Sequence, residues 1–269
     1  HNSEHTTDAW QVDSPANCPL DEPAVAALCT RLLAAPRRVG QVNNNRSSLR
    51  DNIALQHRFA PADGLRPLWG TEWRYDRIES DFLFHDGRRP SQQEWRLFGN
   101  AEWRIAPEWL WNVGAMAEHI QDDRLRFAPR VFLNWQPHDN MTWRMGYSRA
   151  WRQPTLYERW ANVQVSVEGL GVVNQRHTPN PDIRPQQIDT WEIGYLGSTP
   201  WGGLLDVRVF DERIEDYIRR TPINLATPFA PSNALNAATG GNPFTIHQVM
   251  GATQWANMPG RIRLTGMEY

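Results

Sequence analysis

The chain has 269 residues, a formal net charge of −2 and a mean hydropathy of −0.63, and all 28 of its basic residues are Arg. A net charge near zero gives no argument for a nucleic-acid partner, and no apolar run is long enough for a membrane-spanning helix. A membrane β-barrel is not excluded, because half the residues of a barrel strand face a polar lumen. The 14 Trp residues suit interfacial aromatic belts better than a core.

Residues 1–47 are rich in Asn, Ser, Asp and Pro, which predicts the end of a strand followed by a long loop. Within this region residues 22–35 could form a short helix. Cys18 and Cys29 are the only cysteines, and an even pair in a polar loop predicts a disulfide in an oxidising compartment. Two unpaired thiols are the alternative, which fits a cell-surface protein less well.

Nine later segments alternate apolar and polar residues with a period of two, the pattern of strands that have different surroundings on their two faces. They are predicted at residues 49–59, 68–80, 92–105, 109–120, 127–137, 142–151, 188–197, 204–218 and 255–269. One face is predicted to carry Trp73, Tyr75, Trp95, Trp103, Trp143 and Trp191. The other face is predicted to carry Glu72, Arg74, Arg96, Glu102, Arg144 and Glu192.

This alternation fits either a soluble β-sandwich with its apolar face inside or a membrane barrel with its apolar face towards lipid. Three features favour the barrel. The segments are close to the length of a tilted membrane strand, Trp and Tyr recur near their ends, and short connections alternate with long ones. We therefore predict an all-β fold, an antiparallel transmembrane β-barrel with aromatic residues facing lipid and charged residues facing the lumen.

Two consecutive motifs carry a family resemblance. Residues 151–158 read W-R-Q-P-T-L-Y-E, and residues 180–195 read N-P-D-I-R-P-Q-Q-I-D-T-W-E-I-G-Y. Together they resemble the late-barrel region of TonB-dependent outer-membrane receptors, and residues 204–218 and 257–268 resemble the two strands that usually follow. Gln186 departs from this pattern, since the family commonly has Glu there.

The resemblance implies a barrel of about 22 strands with a plugged lumen. Residues 48–269 would form rather less than half of that wall, and residues 1–47 would be an extracellular loop region. The chain begins without an initiator Met, a signal peptide or a plug-like segment. We therefore expect it to be part of a longer receptor.

The implied function is active uptake of a scarce nutrient across the bacterial outer membrane, foremost a ferric siderophore. Its partners would be the siderophore or a similar metal chelate, outer-membrane lipid, and a TonB-type energy-coupling protein acting through the plug region. No cofactor or catalytic role is implied, and the G-x-S-x-G, H-E-x-x-H and C-x-x-C motifs are absent from the sequence. A passive porin-like channel, an outer-membrane barrel enzyme and a soluble binding module remain as alternatives.

The predicted ligand site lies in the long loop at residues 152–187, because aromatic and Arg side chains there can hold a planar anionic chelate. The candidates are Tyr157, Arg159, Trp160, Arg176 and His177. In haem receptors of the family a His also falls between the two motifs, as His177 does, so haem is an alternative ligand. Gln153 and Asp182 depart from the haem-type pattern, which ranks haem below a siderophore.

Overall fold

The computed structural model describes residues 2–4, 7–12, 38–43, 45–121, 123–167, 171–199, 201–223 and 252–269. Cys18, Cys29 and the helix predicted at 22–35 lie outside these residues, so the disulfide stays a prediction. No helix within the described ranges is long and apolar enough to cross a membrane.

The described residues form sixteen strands and one short helix. The strands are β1 (Asn2–Glu4), β2 (Thr7–Val12), β3 (Arg38–Asn43), β4 (Arg46–Arg58), β5 (Leu65–Glu79), β6 (Ser91–Ala106), β7 (Trp109–Ile120), β8 (Arg126–His138), β9 (Met141–Arg152), β10 (Val163–Val167), β11 (Gly171–His177), β12 (Gln186–Ser198), β13 (Leu204–Glu215), β14 (Ile218–Ile223), β15 (Ala252–Asn257) and β16 (Arg261–Glu268). The helix, α1, is Leu156–Trp160.

Ten of these strands form one antiparallel sheet, in the order β1-β4-β5-β6-β7-β8-β9-β12-β13-β16. Nine of them correspond to the predicted barrel strands, so the predicted all-β antiparallel architecture is confirmed. The sheet is not closed within the described residues, because β1 and β16 are its outer strands. A spanning sheet in lipid cannot leave its edge N–H and C=O groups unpaired, so the sheet corresponds to part of a barrel wall.

The strand register produces two continuous faces. Residues directly opposite each other in an antiparallel pair share a face, and Trp73 pairs with Trp95 as Glu72 pairs with Arg96. The same register joins odd-numbered to odd-numbered residues from β4 through β16, with one exception at the turn end of β6 and β7 and one at the turn end of β8 and β9. The predicted separation of the six aromatic from the six charged residues is therefore confirmed.

The two ends of the sheet differ in their connections. At the turn end, residues 59–64, 107–108, 139–140 and 199–203 join neighbouring strands. At the loop end, residues 80–90, 121–125, 153–185 and 216–260 connect neighbouring wall strands, and the last two of these segments are long. This confirms the predicted alternation of short and long connections.

Two expectations about the loop end are wrong. Segment 152–187, predicted as one long loop, contains α1 and the strands β10 and β11, and these strands form a second sheet with β14 and β15 in the order β10-β11-β15-β14. The strands predicted at 204–218 and 255–269 are each interrupted. The first breaks at Asp216, which has a φ of 54°, and the second at residues 258–260, where Gly260 has a φ of 89°. The alternation is lost at both breaks, where residues 215–218 read E-D-Y-I and residues 257–261 read N-M-P-G-R, and Pro259-Gly260 is in addition a turn signal.

Candidate ligand-binding site

The first motif folds into a capped helical turn. Thr155 is the N-cap of α1, and its side-chain oxygen accepts from the Glu158 N–H at 3.1 Å. In a second hydrogen bond the Glu158 carboxylate accepts from the Thr155 N–H at 2.8 Å, and the two bonds together form a capping box. Arg152 then donates to Glu158 at 2.6 Å. Glu158 is only 6% exposed, so this charge depends on Arg152 as its partner.

Gln153 connects the beginning of this loop to the lumen face of the wall. Its side-chain amide donates to the Glu118 carboxylate at 2.5 Å. Glu118 also accepts from Arg96 at 2.9 Å, and Arg96 contacts Glu72 at 3.4 Å and Glu94. These charged side chains lie on the face opposite the Trp residues. The loop therefore bends over the lumen side of the sheet rather than its lipid side.

The second motif attaches the loop-end sheet to the wall. Asn180 donates its side-chain amide to the Trp255 carbonyl at 2.8 Å. The backbone N–H of Arg184 donates to the Asn257 side-chain oxygen, and its carbonyl accepts from the Asn257 side-chain amide, both at 2.8 Å. The Arg184 guanidinium pairs with Asp216 at 2.5 Å, and this contact raises the pKa of Arg184. Strands β14 and β15 are thus tied to the segment that leads into β12.

Gln186 fills a defined role in the same attachment. It is buried, and its side-chain oxygen accepts from the Ile218 N–H at 3.4 Å. A Glu at this position could accept the same bond but would bury a charge. The departure from the family pattern therefore keeps the acceptor and removes the charge.

A third loop completes the loop-end unit, defined here as α1, β10, β11, β14 and β15. Phe84 of the 80–90 connection is fully buried. Its neighbours pair with Asn162, whose N–H donates to the Leu83 carbonyl at 2.9 Å and whose carbonyl accepts from the His85 N–H at 3.0 Å. The predicted ligand residues are therefore held on an ordered scaffold.

Tyr157 and His177 lie together in this unit, with their ring centroids 5.9 Å apart in an edge-to-face arrangement. His177 is 9% exposed. Its Nδ1 is 2.8 Å from the Thr253 hydroxyl, which also donates to the Arg176 carbonyl at 2.8 Å. A hydroxyl has one hydrogen to donate, so it accepts from Nδ1–H of His177. The imidazole Nε2 therefore carries the free lone pair.

The electrostatic surroundings of His177 favour its neutral form. Burial lowers the pKa of His177, and the positive charges of Arg220 and Arg176 lower it further. Burial also raises the pKa of Tyr157, with Arg220 acting in the opposite direction. Arg220 and Thr253 were missed by the sequence analysis. They lie on β14 and β15, outside the predicted ligand loop at residues 152–187, so no signal within that loop could have found them.

The other three predicted residues lie apart from the Tyr157–His177 pair. Trp160 packs under the guanidinium of Arg88, which is 4.2 Å from the ring centroid. Arg159 lines a different groove of about 350 Å³, shared with Trp151 and Asp182, and Arg176 is exposed. The five candidates thus belong to one unit but not to one cluster. No group of three or more metal-ligating side chains occurs among the residues described.

Comparison with known proteins agrees with this architecture. Residues 5–269 match the family described as TonB dependent receptor-like, beta-barrel. The iron-regulated outer membrane virulence protein of Vibrio cholerae is 25% identical over 193 residues, a match that covers 69% of this chain and 28% of that protein. The chain therefore spans less than a third of this curated relative.

Solved structures share the fold at low sequence identity. The siderophore receptor PirA of Pseudomonas aeruginosa is 14% identical with a TM-score of 0.66, over 86% of this chain and 41% of that one. The hemophore receptor HasR of Serratia marcescens, solved with its hemophore and heme, is 15% identical with a TM-score of 0.61, over 84% and 39%. The ferric enterobactin receptor of Pseudomonas aeruginosa is 16% identical with a TM-score of 0.62, over 85% and 34%. The chain therefore belongs to the TonB-dependent receptors and forms part of their β-barrel in the bacterial outer membrane.

Proposed function

We propose that this chain is the ligand-gathering part of a receptor that takes up an anionic ferric siderophore, with the loop end facing the outside of the cell. The observation that carries the proposal is the loop-end unit, which sets the Tyr157–His177 pair near the exposed Arg220, whose charge acts on both side chains. Guanidinium groups bind anionic oxygens with charge-assisted hydrogen bonds, and aromatic rings pack against planar ligands.

The names of the related proteins support this substrate class. One similar structure is named a siderophore receptor and another a ferric enterobactin receptor, while the curated relative is named iron-regulated. Transport would require binding and gating rather than bond chemistry. The energy would come from a TonB-type protein acting on the plug region of the receptor.

The affinity of the intact receptor for a trianionic iron(III) catecholate complex tests the proposal. Arg220→Gln should weaken binding by about tenfold or more, because a charge-assisted hydrogen bond contributes roughly 1.5–3 kcal/mol. Arg219→Gln is the matched control, since successive residues of a strand point to opposite faces and both positions are exposed. Equal affinities for Arg220→Gln and the control would contradict the proposal.

Energy dependence separates active uptake from a passive channel. We expect accumulation of the labelled iron complex to stop when cells are treated with a protonophore, while binding at the cell surface continues. Accumulation that persists in treated cells would favour the porin-like alternative.

Haem is the second candidate ligand, and the tautomer of His177 favours it. A neutral imidazole with a free Nε2 lone pair is the form that binds iron, and the Thr253 hydroxyl orients the ring through Nδ1. His177→Ala should abolish haem-dependent growth if haem is the substrate. The same variant should change siderophore affinity little, so one substitution distinguishes the two ligands.

A further inference from the structure

Two buried carboxyl groups lie side by side on the lumen face near the loop end. Glu94 of β6 is 2% exposed and Glu118 of β7 is 3% exposed. Arg96 contacts Glu94 through Nη2 and Glu118 through Nε, the latter at 2.9 Å. These two nitrogens form one edge of the guanidinium, which can bind a single carboxylate through both of its oxygens. Two carboxyls therefore crowd a site that suits one, and their side chains are in hydrogen-bonding contact with each other.

The charges around this pair do not balance within the described residues. The charged groups that face the pair on the lumen side are Arg50 on β4, Glu72, Arg74 and Asp76 on β5, Arg96 on β6, and the Arg126–Asp123 and Arg152–Glu158 pairs beyond β7. The last two pairs are neutral in themselves. The remaining three guanidiniums face four carboxyls, because Glu94 and Glu118 add to Glu72 and Asp76. One negative charge is therefore in excess, and the two carboxyls at its centre are the most deeply buried.

A shared proton removes this excess charge. Two carboxyl oxygens can hydrogen-bond to each other only if one of them carries a hydrogen. Neither oxygen of Glu94 accepts a well-formed hydrogen bond from the described residues, although both contact guanidiniums. An unneutralised buried charge is costly, and two carboxyls that share a buried site keep one proton between them. The geometry thus favours one protonated and one ionised carboxyl.

The pair is also connected to the loop end. Gln153 donates its side-chain amide to Glu118 at 2.5 Å and lies two residues before Thr155, the N-cap of α1. A displacement of the Glu118 carboxylate would therefore act on the beginning of the loop-end unit.

We propose that Glu94 and Glu118 form a proton-binding site that fastens the loop-end unit to the lumen wall. With one proton bound, Glu118 stays beside Glu94 and accepts from Gln153. When the proton passes to water, the two carboxylates repel each other, Glu118 turns away, and its hydrogen bond to Gln153 is lost. The bound proton favours the attached loop, and alkaline pH loosens it. No ligand takes part, so the inference goes beyond the proposed function and does not depend on it.

Infrared spectroscopy of the intact receptor in lipid vesicles tests for the proton, because a protonated carboxyl has a carbonyl band that a carboxylate lacks. At neutral pH the band of the wild type should lose the contribution of one carboxyl in Glu94→Gln and in Glu118→Gln. Glu102→Gln is the matched control and should keep the full band, since Glu102 is an exposed lumen-face acid, 3.9 Å from Arg66. Equal bands in the wild type and Glu94→Gln would show that the excess charge is balanced from elsewhere and would overturn the inference.

Amide protection factors of α1 measure the attachment. As pH rises from neutral to alkaline, protection in the wild type and in Glu102→Gln should fall by about tenfold, the effect of losing one hydrogen bond to a charged group. Glu94→Gln should keep its protection, because the amide can donate to Glu118 and has no proton to lose. Gln153→Met removes the hydrogen bond, so its protection should be low at every pH. Equal pH dependence in the wild type and Glu94→Gln would overturn the inference, as would a pH dependence that persists in Gln153→Met.

Discussion

The fit between Phe132 and Gly146 gives a sharp prediction about stability. In Gly146→Ala the added methyl group would overlap the Phe132 ring. The ring is 4% exposed and lies beneath the guanidiniums of Arg130 and Arg144, so its movement would disturb both contacts. We therefore expect Gly146→Ala to destabilise the barrel, although Ala is small and neutral.

A neighbouring glycine provides the matched control and the scale of the effect. Overpacking a filled site costs about 1–3 kcal/mol. At Gly194, on the same face, a Cβ would meet only the Val207 carbonyl at 3.5 Å and the Arg144 Cβ at 4.0 Å, which are ordinary contacts. Gly194→Ala should therefore stabilise by about 0.4–1 kcal/mol, because it restricts the unfolded chain. The two variants should differ by roughly 1.5–4 kcal/mol.

Denaturant-induced unfolding of the intact receptor in lipid vesicles measures this difference. The midpoint should fall for Gly146→Ala and stay or rise for Gly194→Ala, with no change in the slope of the transition. Adding Phe132→Ala should remove most of the cost of the Gly146 change, since the clash needs the ring. Equal midpoints for the two glycine variants would refute the reasoning, as would a double variant in which the cost persists.

Three further predictions concern orientation, pH and the cysteines. A spin label on Trp95→Cys should respond to lipid-dissolved oxygen and one on Arg96→Cys to a water-soluble relaxation agent; the reverse would contradict the assigned faces. The folded-state pKa of His177 is lowered, so its unfolded form binds more protons below about pH 6.5. Amide protection factors in the loop-end unit, which correct for the slower intrinsic exchange in acid, should therefore decrease as pH falls below that value, and decrease less in His177→Asn. Cys18 and Cys29 should form a disulfide, which two alkylatable thiols in unreduced peptides would disprove.

The barrel wall could be predicted from sequence because its signal is local. Successive side chains of each strand face lipid and lumen in turn. An aromatic residue next to a charged one, such as Trp73 beside Glu72 or Trp95 beside Arg96, therefore indicates which face each side chain takes. A slip of one residue would put charges into hydrocarbon, so the alternation also constrains the register. The structure pairs Trp73 with Trp95 and Glu72 with Arg96, as this argument requires.

The loop end could not be predicted in the same way because its signal is not local. Strands β14 and β15 pair with each other across residues 224–251, and the bonds between Arg184 and Asn257 join positions 73 residues apart. Alternation indicates that a segment is a strand, but it does not indicate its partner. Residues 204–218 were predicted as one strand, but the chain leaves the wall at Asp216, and Ile218 pairs with Asn257 in the second sheet.

The sequence of the candidate site also contains a local helix signal, the capping box before α1. Thr155 followed three positions later by Glu158 is the signature of a capping box, which predicts a helix beginning at Leu156. Residues two positions apart on a helix point in different directions. Tyr157 and Arg159 should therefore not have been expected in one cluster, and the structure places Arg159 in a separate groove.

The residues that carry the family resemblance act mainly as attachments. Arg152 pairs with the buried Glu158, Asn180 binds the Trp255 carbonyl, and Arg184 binds Asn257. Tyr157 lies within the first motif, but its neighbours His177 and Arg220 lie outside both motifs. The motifs therefore specify how the loop-end unit is fixed above the lumen, and we expect side chains outside the motifs to determine what it binds. A resemblance carried by such attachments identifies the receptor family, and under the proposed function the choice between siderophore and haem falls to side chains such as His177 and Arg220.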